Sequence, residues 1–160
     1  MFQGIQIVDG LNWGCRMGKN PNQAYIPIPE AIAKSDFFPP IGIPFAVLAD
    51  DNFPFIGIKT PPKKKEGKNE YAVESTNNSE IGEYFRRKLG LPLGTFVTLE
   101  NLDRYGTRYV TFTKVTNDEY YMNFHPHQNA TSAHLKDESS HFFCVYSRPV
   151  CIPFVAKKIS

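Results

Sequence analysis

Apolar and polar residues alternate in short runs along this chain, and clusters of turn-forming residues separate the runs. Runs of this length, rich in β-branched and aromatic residues, predict strands. Residues 50–52 and 116–118 each lie between two such runs and predict two hairpins. The predicted strands cover residues 2–8, 24–26, 44–49, 53–59, 71–73, 109–115, 120–124, 142–146 and 150–155.

The clearest helix signal covers residues 79–89. Apolar side chains fall on one face of this segment, and either Asn78 or Ser79 is expected to cap its amino terminus. Gly90 follows, where a left-handed residue is favoured at the end of a helix. The basic residues of the last turn are expected in solvent, facing the negative end of the helix dipole. They are Arg86, Arg87 and Lys88.

Two shorter helices complete a mainly β pattern. Pro29 predicts the first turn of a helix that extends to Lys34, and residues 98–105 predict another that ends before Gly106. The helices interrupt the strands without alternating regularly with them. The pattern therefore favours an open, twisted barrel with helices at its ends over a doubly wound parallel sheet.

Length and composition fit one globular domain. The chain has 160 residues, of which 41% are hydrophobic and 14% aromatic, enough for a sizeable core. No apolar run approaches the roughly 20 residues that span a bilayer, so no membrane-integral segment is expected. No segment resembles a secretory signal, and the three cysteines Cys15, Cys144 and Cys151 cannot all pair within one chain. We therefore expect a cytoplasmic protein.

A polar loop at residues 12–23 joins two predicted strands. Its arginine, lysine and amide side chains are of the kinds that hydrogen-bond phosphates and base edges. Its tryptophan is either a stacking side chain or a packing anchor for the loop. The candidate DNA contacts in this loop are Asn12, Trp13, Arg16, Lys19, Asn20, Asn22 and Gln23.

Positive charge is clustered although the net charge is only +2. A lysine-rich run at residues 59–69 is, taken alone, typical of a solvated loop. Together with the polar loop, the run can also be interpreted as part of a DNA-binding surface, because two polar arms on one β-scaffold can clasp a duplex. The candidate contacts in this run are Lys59, Lys63, Lys64, Lys65, Lys68 and Asn69. Arg104 and Arg108 either extend the phosphate-binding surface or cap the short helix beside them.

Catalytic and metal-binding patterns are weak. The tripeptide His134-Leu135-Lys136 matches the start of the HxKxxxxD motif of phospholipase-D-type nucleases, but position 141 is a histidine where the motif requires aspartate. His125 and His127 would share one face of an extended segment, yet they make only a pair of ligands. We therefore predict no catalytic residue, no metal site and no cofactor.

The carboxylates Asp50 and Asp51 are explained by their place in a predicted turn, where aspartate is favoured by local hydrogen bonding. Two alternative functions stay open. One is a self-contained nuclease that uses His134 and Lys136. The other is a β-barrel module that binds single-stranded nucleic acid or a protein partner.

Many short motifs, found in one order, resemble the C-terminal region of NgoFVII-type restriction endonucleases of the phospholipase-D family. They are Asn12-Trp13-Gly14, Gly18–Pro27, Phe37-Phe38-Pro39-Pro40, Asn77-Asn78-Ser79, Tyr84-Phe85-Arg86, Leu89-Gly90-Leu91-Pro92, Arg104-Tyr105-Gly106, Val110-Thr111-Phe112 and Tyr120-Tyr121-Met122. The resemblance implies a B3-like DNA-binding domain, a seven-stranded open pseudobarrel with helices at its ends and, here, an extra C-terminal strand pair. Residues 1–124 would form the recognition domain, and residues 125–160 a C-terminal extension packed on it.

The resemblance also implies how such a domain works. Residues 12–23 correspond to the N-arm and residues 59–69 to the C-arm, which are expected to enter the major groove and recognise double-stranded DNA sequence-specifically. A separate N-terminal nuclease domain cuts the DNA, so this chain is expected to be an isolated, monomeric, non-catalytic recognition domain. The chain departs from the family where an arginine-led C-arm containing glutamine is expected. It has Lys59-Thr60-Pro61-Pro62 and three lysines instead.

Overall fold

The computed structural model describes residues 6–14, 19–126, 149–154 and 156–158. These residues form ten strands, three α-helices and one 3-10 turn at Gly10–Asn12. The strands are β1 (Gln6–Val8), β2 (Ile26–Ile28), β3 (Phe45–Ala49), β4 (Pro54–Lys59), β5 (Lys63–Lys65), β6 (Lys68–Ser75), β7 (Tyr109–Thr116), β8 (Glu119–Asn123), β9 (Val150–Pro153) and β10 (Ala156–Lys158). The helices are α1 (Glu30–Lys34), α2 (Asn78–Leu89) and α3 (Leu99–Tyr105).

Seven strands form a nearly closed, barrel-shaped sheet in the order β2-β6-β4-β3-β8-β7-β9. Neighbouring strands in this order are antiparallel, except β3 and β8, which are parallel. The β5 strand pairs with the first part of β6, and β1 pairs with β10 in a separate two-stranded sheet. The predicted mainly β pseudobarrel is confirmed, and so are both predicted hairpins, β3–β4 and β7–β8.

The carboxyl-terminal strands belong to the fold itself. The β9 strand pairs with β7, with Val150 opposite Phe112, and so supplies the seventh barrel strand. Ile152 and Phe154 are buried in the core. The predicted strand at residues 142–146 lies outside the described residues. Strand β9, predicted as one of an extra pair, is instead a member of the barrel.

Aromatic side chains fill the barrel. Phe38 lies 5.2 Å from both Phe112 and Tyr120 between ring centroids, and Phe45 lies 5.0 Å from Tyr120. All four are at most 2% exposed. Burying a side chain of this size contributes about 1.5–3 kcal/mol. The cluster therefore explains why short strands with many turns hold together.

Helix α2 begins one residue before the predicted segment and has a different cap. The side chain of Asn77, one residue earlier than expected, accepts a hydrogen bond from the Ser79 amide at 3.2 Å. Gly90 takes the predicted left-handed conformation, with φ +71°. A side chain in this conformation is strained, which is why glycine is favoured at this position.

Arg86, expected in solvent, is fully buried. Its guanidinium donates hydrogen bonds to the carbonyl oxygens of Leu11 at 3.0 Å, Thr95 at 2.8 Å and Gly82 at 3.2 Å. The prediction was wrong because Gly82, one turn earlier on the same face, has no side chain. The amino-terminal loop packs over that gap and covers Arg86.

Asp50 is more than a turn residue. Its carboxylate is 6% exposed and accepts hydrogen bonds from the Tyr84 hydroxyl and from Lys88 Nζ at 3.3 Å, while His125 Nε2 lies 3.1 Å away. Burial favours the neutral acid, but the Tyr84 hydrogen bond and the charges of His125 and Lys88 outweigh it, so the pKa of Asp50 lies below its ordinary value. Burial and Asp50 raise the pKa of Tyr84, which stays a protonated donor.

We expect Asp50→Asn to lower the free energy of unfolding at pH 7 by about 1–3 kcal/mol, because buried donors lose a charged acceptor. Ionised Asp50 stabilises the fold fully above the pKa of the unfolded chain, about 3.9. This contribution is lost as the pH falls through the lower pKa of the folded protein. Urea unfolding at several pH values should therefore show a shallower loss of stability on acidification in the variant.

The control is Asp51→Asn, at an exposed neighbour in the same turn. It should change stability by less than about 0.5 kcal/mol, as surface substitutions usually do. Equal effects of the two substitutions would contradict a stabilising role for the Asp50 contacts.

Candidate nucleic-acid interface

The N-arm (residues 12–23) lies between β1 and β2, and backbone hydrogen bonds join its described ends. The Tyr25 amide donates to the Gly10 carbonyl at 3.1 Å, and the Gly14 amide donates to the Gln23 carbonyl at 2.9 Å. Of its predicted contacts, Arg16 lies outside the described residues. Lys19 and Asn20 are exposed, and Gln23 is half-buried. The described part of the arm thus presents a lysine and two amides at or near its surface.

Asn12, predicted to contact DNA, instead forms hydrogen bonds within the protein. It is 7% exposed, and its Nδ2 donates to the carbonyl oxygens of Val8 at 2.6 Å and Val97 at 2.8 Å. Its Oδ1 accepts from the Val97 amide at 2.8 Å. Because the amide is occupied inside the protein, Asn12 supports the arm.

Asn22 is 9% exposed, and its Oδ1 accepts a hydrogen bond from the Gly94 amide at 2.7 Å. Its backbone carbonyl lies against α2 at Gly82, where a Cβ atom would come within 1.7 Å of the carbonyl oxygen. Only glycine at position 82 lets the arm approach the helix this closely. Asn22 therefore also holds the arm in place.

Trp13 lies where the two arms meet. Its ring makes an edge contact with Tyr25 at 5.6 Å, and Lys63 Nζ lies 5.3 Å from the ring centroid. A cation at this distance from an indole is attracted to the ring face. Of the two interpretations of Trp13, the structure favours the packing anchor.

The C-arm (residues 59–69) contains β5 and the turn of the β5–β6 hairpin. Its two-residue turn, Glu66 and Gly67, has φ values of +54° and +79°. This combination gives a turn whose twist matches that of the strands. The lysine-rich segment is therefore an ordered β arm.

Lys59, predicted to contact DNA, is 5% exposed and donates from Nζ to the Ala33 carbonyl near the end of α1 at 2.7 Å. Burial lowers the pKa of this ammonium group. The structure contradicts an exposed role for Lys59. Side chains along a strand point alternately outward and inward, and Lys59 occupies an inward position at the end of β4. Composition alone does not reveal this position.

Lys63 and Lys65 are paired with carboxylates. Lys65 Nζ contacts Asp9 and lies 3.6 Å from Glu70, and Lys63 Nζ lies 3.9 Å from Glu74. Asp9 lies three residues before the N-arm, so the Lys65 contact joins the C-arm to the segment that leads into the N-arm. The carboxylates offset much of the positive charge of these two lysines.

Lys64 and Lys68 are exposed, and neither has a carboxylate partner among the described residues. Asn69 lies opposite Lys64 in the hairpin register and is half-buried. Alternation along a strand places Lys64 on the hairpin face opposite Lys63 and Lys65. The C-arm thus has one face directed to the N-arm and two cations available to a partner.

Two grooves flank the junction of the arms, with volumes of about 240 Å³ and 330 Å³. The smaller one lies between Trp13, Tyr25 and the three consecutive lysines of β5. The larger one lies beside the hairpin turn and includes Lys68 and Asn69. Lysines and the Asn69 amide therefore line these concave surfaces together with carboxylates, among them Asp9 and Glu70, which border both grooves.

Arg104 and Arg108 are exposed but paired. Arg104 Nη2 lies 2.8 Å from Glu100, and Arg108 makes two hydrogen bonds to Asp103 at 2.6 and 2.8 Å. The hydrogen bond from Arg108 lowers the pKa of the Asp103 carboxyl. A phosphate at either arginine would compete with these carboxylates.

The nuclease and metal-site hypotheses depend mostly on residues outside the described part of the chain. His134, Lys136 and His127 lie outside the described residues, and His125 pairs with Asp50. Within the described ranges, no three histidine, cysteine or acidic side chains group together as a metal site would require. No described helix is long and apolar enough to cross a membrane.

A known protein family matches most of this chain. The family model of the NgoFVII C-terminal B3-like DNA-binding domain matches residues 5–116. No curated protein matches the chain. The matched range contains both arms and α2 and ends with the last residue of β7.

Proposed function

Since the chain belongs to the family of NgoFVII C-terminal B3-like DNA-binding domains, we propose that it recognises a specific sequence in double-stranded DNA. In this proposal the two arms enter the major groove, and the chain is the target-recognition part of a restriction endonuclease. DNA cleavage belongs to a separate nuclease domain of the full-length protein.

The observation that carries the proposal is the junction of the arms. The N-arm and the C-arm meet where Lys63 Nζ lies over the Trp13 ring, and Lys65 contacts Asp9 just before the N-arm begins. Arms that meet on one side of a barrel can approach a duplex together. Contacts that fix the arms beforehand reduce the entropy lost on binding.

The candidate DNA contacts divide into two roles. Lys64 and Lys68 suit phosphates, because they are exposed cations without carboxylate partners among the described residues. Lys19, Asn20 and Gln23 suit base edges, since lysine and amide side chains match the donors and acceptors of guanine and adenine. Arg16 and Asn69 join them as candidate base contacts, whereas Arg104 and Arg108 remain candidate phosphate contacts.

A competition experiment tests this function. The chain is bound to a labelled duplex and challenged with unlabelled duplex or single strands of the same sequences. We expect the duplex to compete better, because groove recognition needs paired strands. Stronger competition by single strands would support a single-strand module instead.

In a metal-free incubation with duplex DNA, we expect no cleavage. Cleavage that is abolished by His134→Ala would contradict a recognition-only role.

Replacing Lys64 and Lys68 together by alanine is expected to weaken binding to any duplex about tenfold and to reduce the slope of log K against log salt by about 2. Two phosphate contacts are lost, so selected and scrambled duplexes should be affected alike. Fluorescence anisotropy over a series of salt concentrations measures both quantities.

A variant with Arg87→Ala and Lys114→Ala is the control. It removes two positive charges from α2 and β7, at residues outside both arms that are not candidate DNA contacts. It should leave the slope almost unchanged. Equal slopes for the two double variants would argue against phosphate contacts by the C-arm.

A further inference from the structure

The loop at residues 92–97, between α2 and α3, is fastened to the N-arm. The Asn22 side chain accepts from the Gly94 amide at 2.7 Å. The Asn12 side chain bonds the amide and the carbonyl of Val97, each at 2.8 Å. The two asparagines, 10 residues apart in the N-arm, thus hold both halves of this loop.

Hydrogen bonds inside the loop and from α2 also fix its position. The Thr95 hydroxyl donates to the Pro92 carbonyl at 2.8 Å, and Arg86 Nε donates to the Thr95 carbonyl at 2.8 Å. Pro21 of the N-arm lies over Gly94, where a Cβ atom would be 3.4 Å from its ring. The position of the loop beside the N-arm is therefore fixed by the fold before any partner binds.

Two large apolar side chains of this loop are exposed, Leu93 at 47% and Phe96 at 51%. They belong to the same packed unit as the exposed Lys19 and Asn20 of the N-arm. Exposed apolar side chains rimmed by polar residues can mark a site of contact with a partner. The apolar group that duplex DNA offers in its major groove is the thymine methyl, which aromatic and aliphatic side chains contact.

We propose that Phe96 is a specificity-determining residue that contacts the methyl group of a thymine in the recognised sequence. The proposal rests on the proposed function, because that function places the N-arm in the major groove. It adds an apolar contact to a surface whose other candidate contacts are cationic or amide groups.

Deoxyuridine substitution tests the contact, because deoxyuridine lacks only the methyl group of thymidine. Each thymine of a duplex selected by the wild-type protein is replaced in turn, and the dissociation constant is measured for wild type and Phe96→Ala. One replacement should weaken wild-type binding about fourfold, the value expected for one buried methyl group. Phe96→Ala should weaken binding to the unmodified duplex to a similar extent. The dissociation constant of this variant should not change further when that thymine is replaced.

Tyr121→Ala is the control, because Tyr121 is equally exposed at 51% but lies on β8. It should behave as wild type at every position. Indifference of the wild-type protein to all replacements, or retained sensitivity in Phe96→Ala, would overturn the thymine contact while leaving duplex recognition intact. Failure of the wild-type protein to select any duplex would overturn the proposed function itself.

Discussion

Replacing Arg86 by methionine is expected to lower the free energy of unfolding by about 3 kcal/mol or more. Methionine fills part of the space but donates no hydrogen bond, so the carbonyl oxygens of Leu11, Thr95 and Gly82 lose a donor. A buried polar group left without a partner costs about 1–3 kcal/mol. Urea unfolding measures the loss. Trp13, the one tryptophan of the chain, reports it by fluorescence from within the N-arm.

Arg87→Met is the matched control, since it makes the same change one residue further along α2. Arg87 is 59% exposed and pairs with Glu83 at 3.1 Å on the helix surface. Such a pair contributes about 0.3–0.5 kcal/mol. If both variants lost only this small amount, the buried arginine would not be what fastens the loops to α2.

Gly82→Ala is expected to displace the N-arm and reduce affinity for a selected duplex tenfold to a hundredfold, which corresponds to about 1–3 kcal/mol for a lost bidentate base contact. The added Cβ atom would lie 1.7 Å from the Asn22 carbonyl oxygen, so the arm must move away from the helix. Anisotropy measures the affinity, and Trp13 emission reports the displacement. Circular dichroism should show that the strands and helices remain.

Gly90→Ala controls for a general loss of stability. Gly90 has φ +71°, and no atom lies within 4 Å of an added Cβ atom, so the substitution strains the end of α2 without touching the N-arm. We expect a loss of about 1 kcal/mol in stability and unchanged discrimination between duplexes. Equal discrimination by Gly82→Ala and Gly90→Ala would mean that the N-arm does not read bases.

Local patterns in the sequence predicted the parts of the fold that neighbouring residues determine. Both hairpins formed around their turn residues, and Gly90 ended α2 as its conformational freedom requires. The cap was misplaced by one residue because Asn77, Asn78 and Ser79 are all good cap residues, and only the backbone geometry selects among them.

The errors concern polar residues whose partners are distant in sequence. Asn12 bonds Val97, 85 residues away, and Lys59 bonds Ala33, 26 residues earlier. Their side chains are of the kinds that bind DNA, and the same chemistry satisfies buried backbone groups. Residue type alone cannot separate these two uses. The structure therefore keeps both arms but changes which of their residues are available to DNA.

The loop at residues 92–97 was not singled out in the sequence. Leu93 and Phe96 follow a helix end and read as ordinary apolar residues of a connection. Their exposure becomes informative only because Asn22 holds this loop against the N-arm. The observation that identifies this loop is a contact between residues 72 positions apart. Hydrophobic periodicity along the sequence does not reveal such a contact.

Selection from a random duplex library tests the central claim, sequence-specific recognition of duplex DNA, most directly. After selection, the dissociation constants for the enriched duplex and for a scrambled duplex of equal composition are compared at physiological salt. We predict one enriched sequence, bound about a thousandfold or more tightly than the scrambled duplex, as is typical of specific DNA-binding proteins. No enriched sequence, or equal affinity for the two duplexes, would contradict the account.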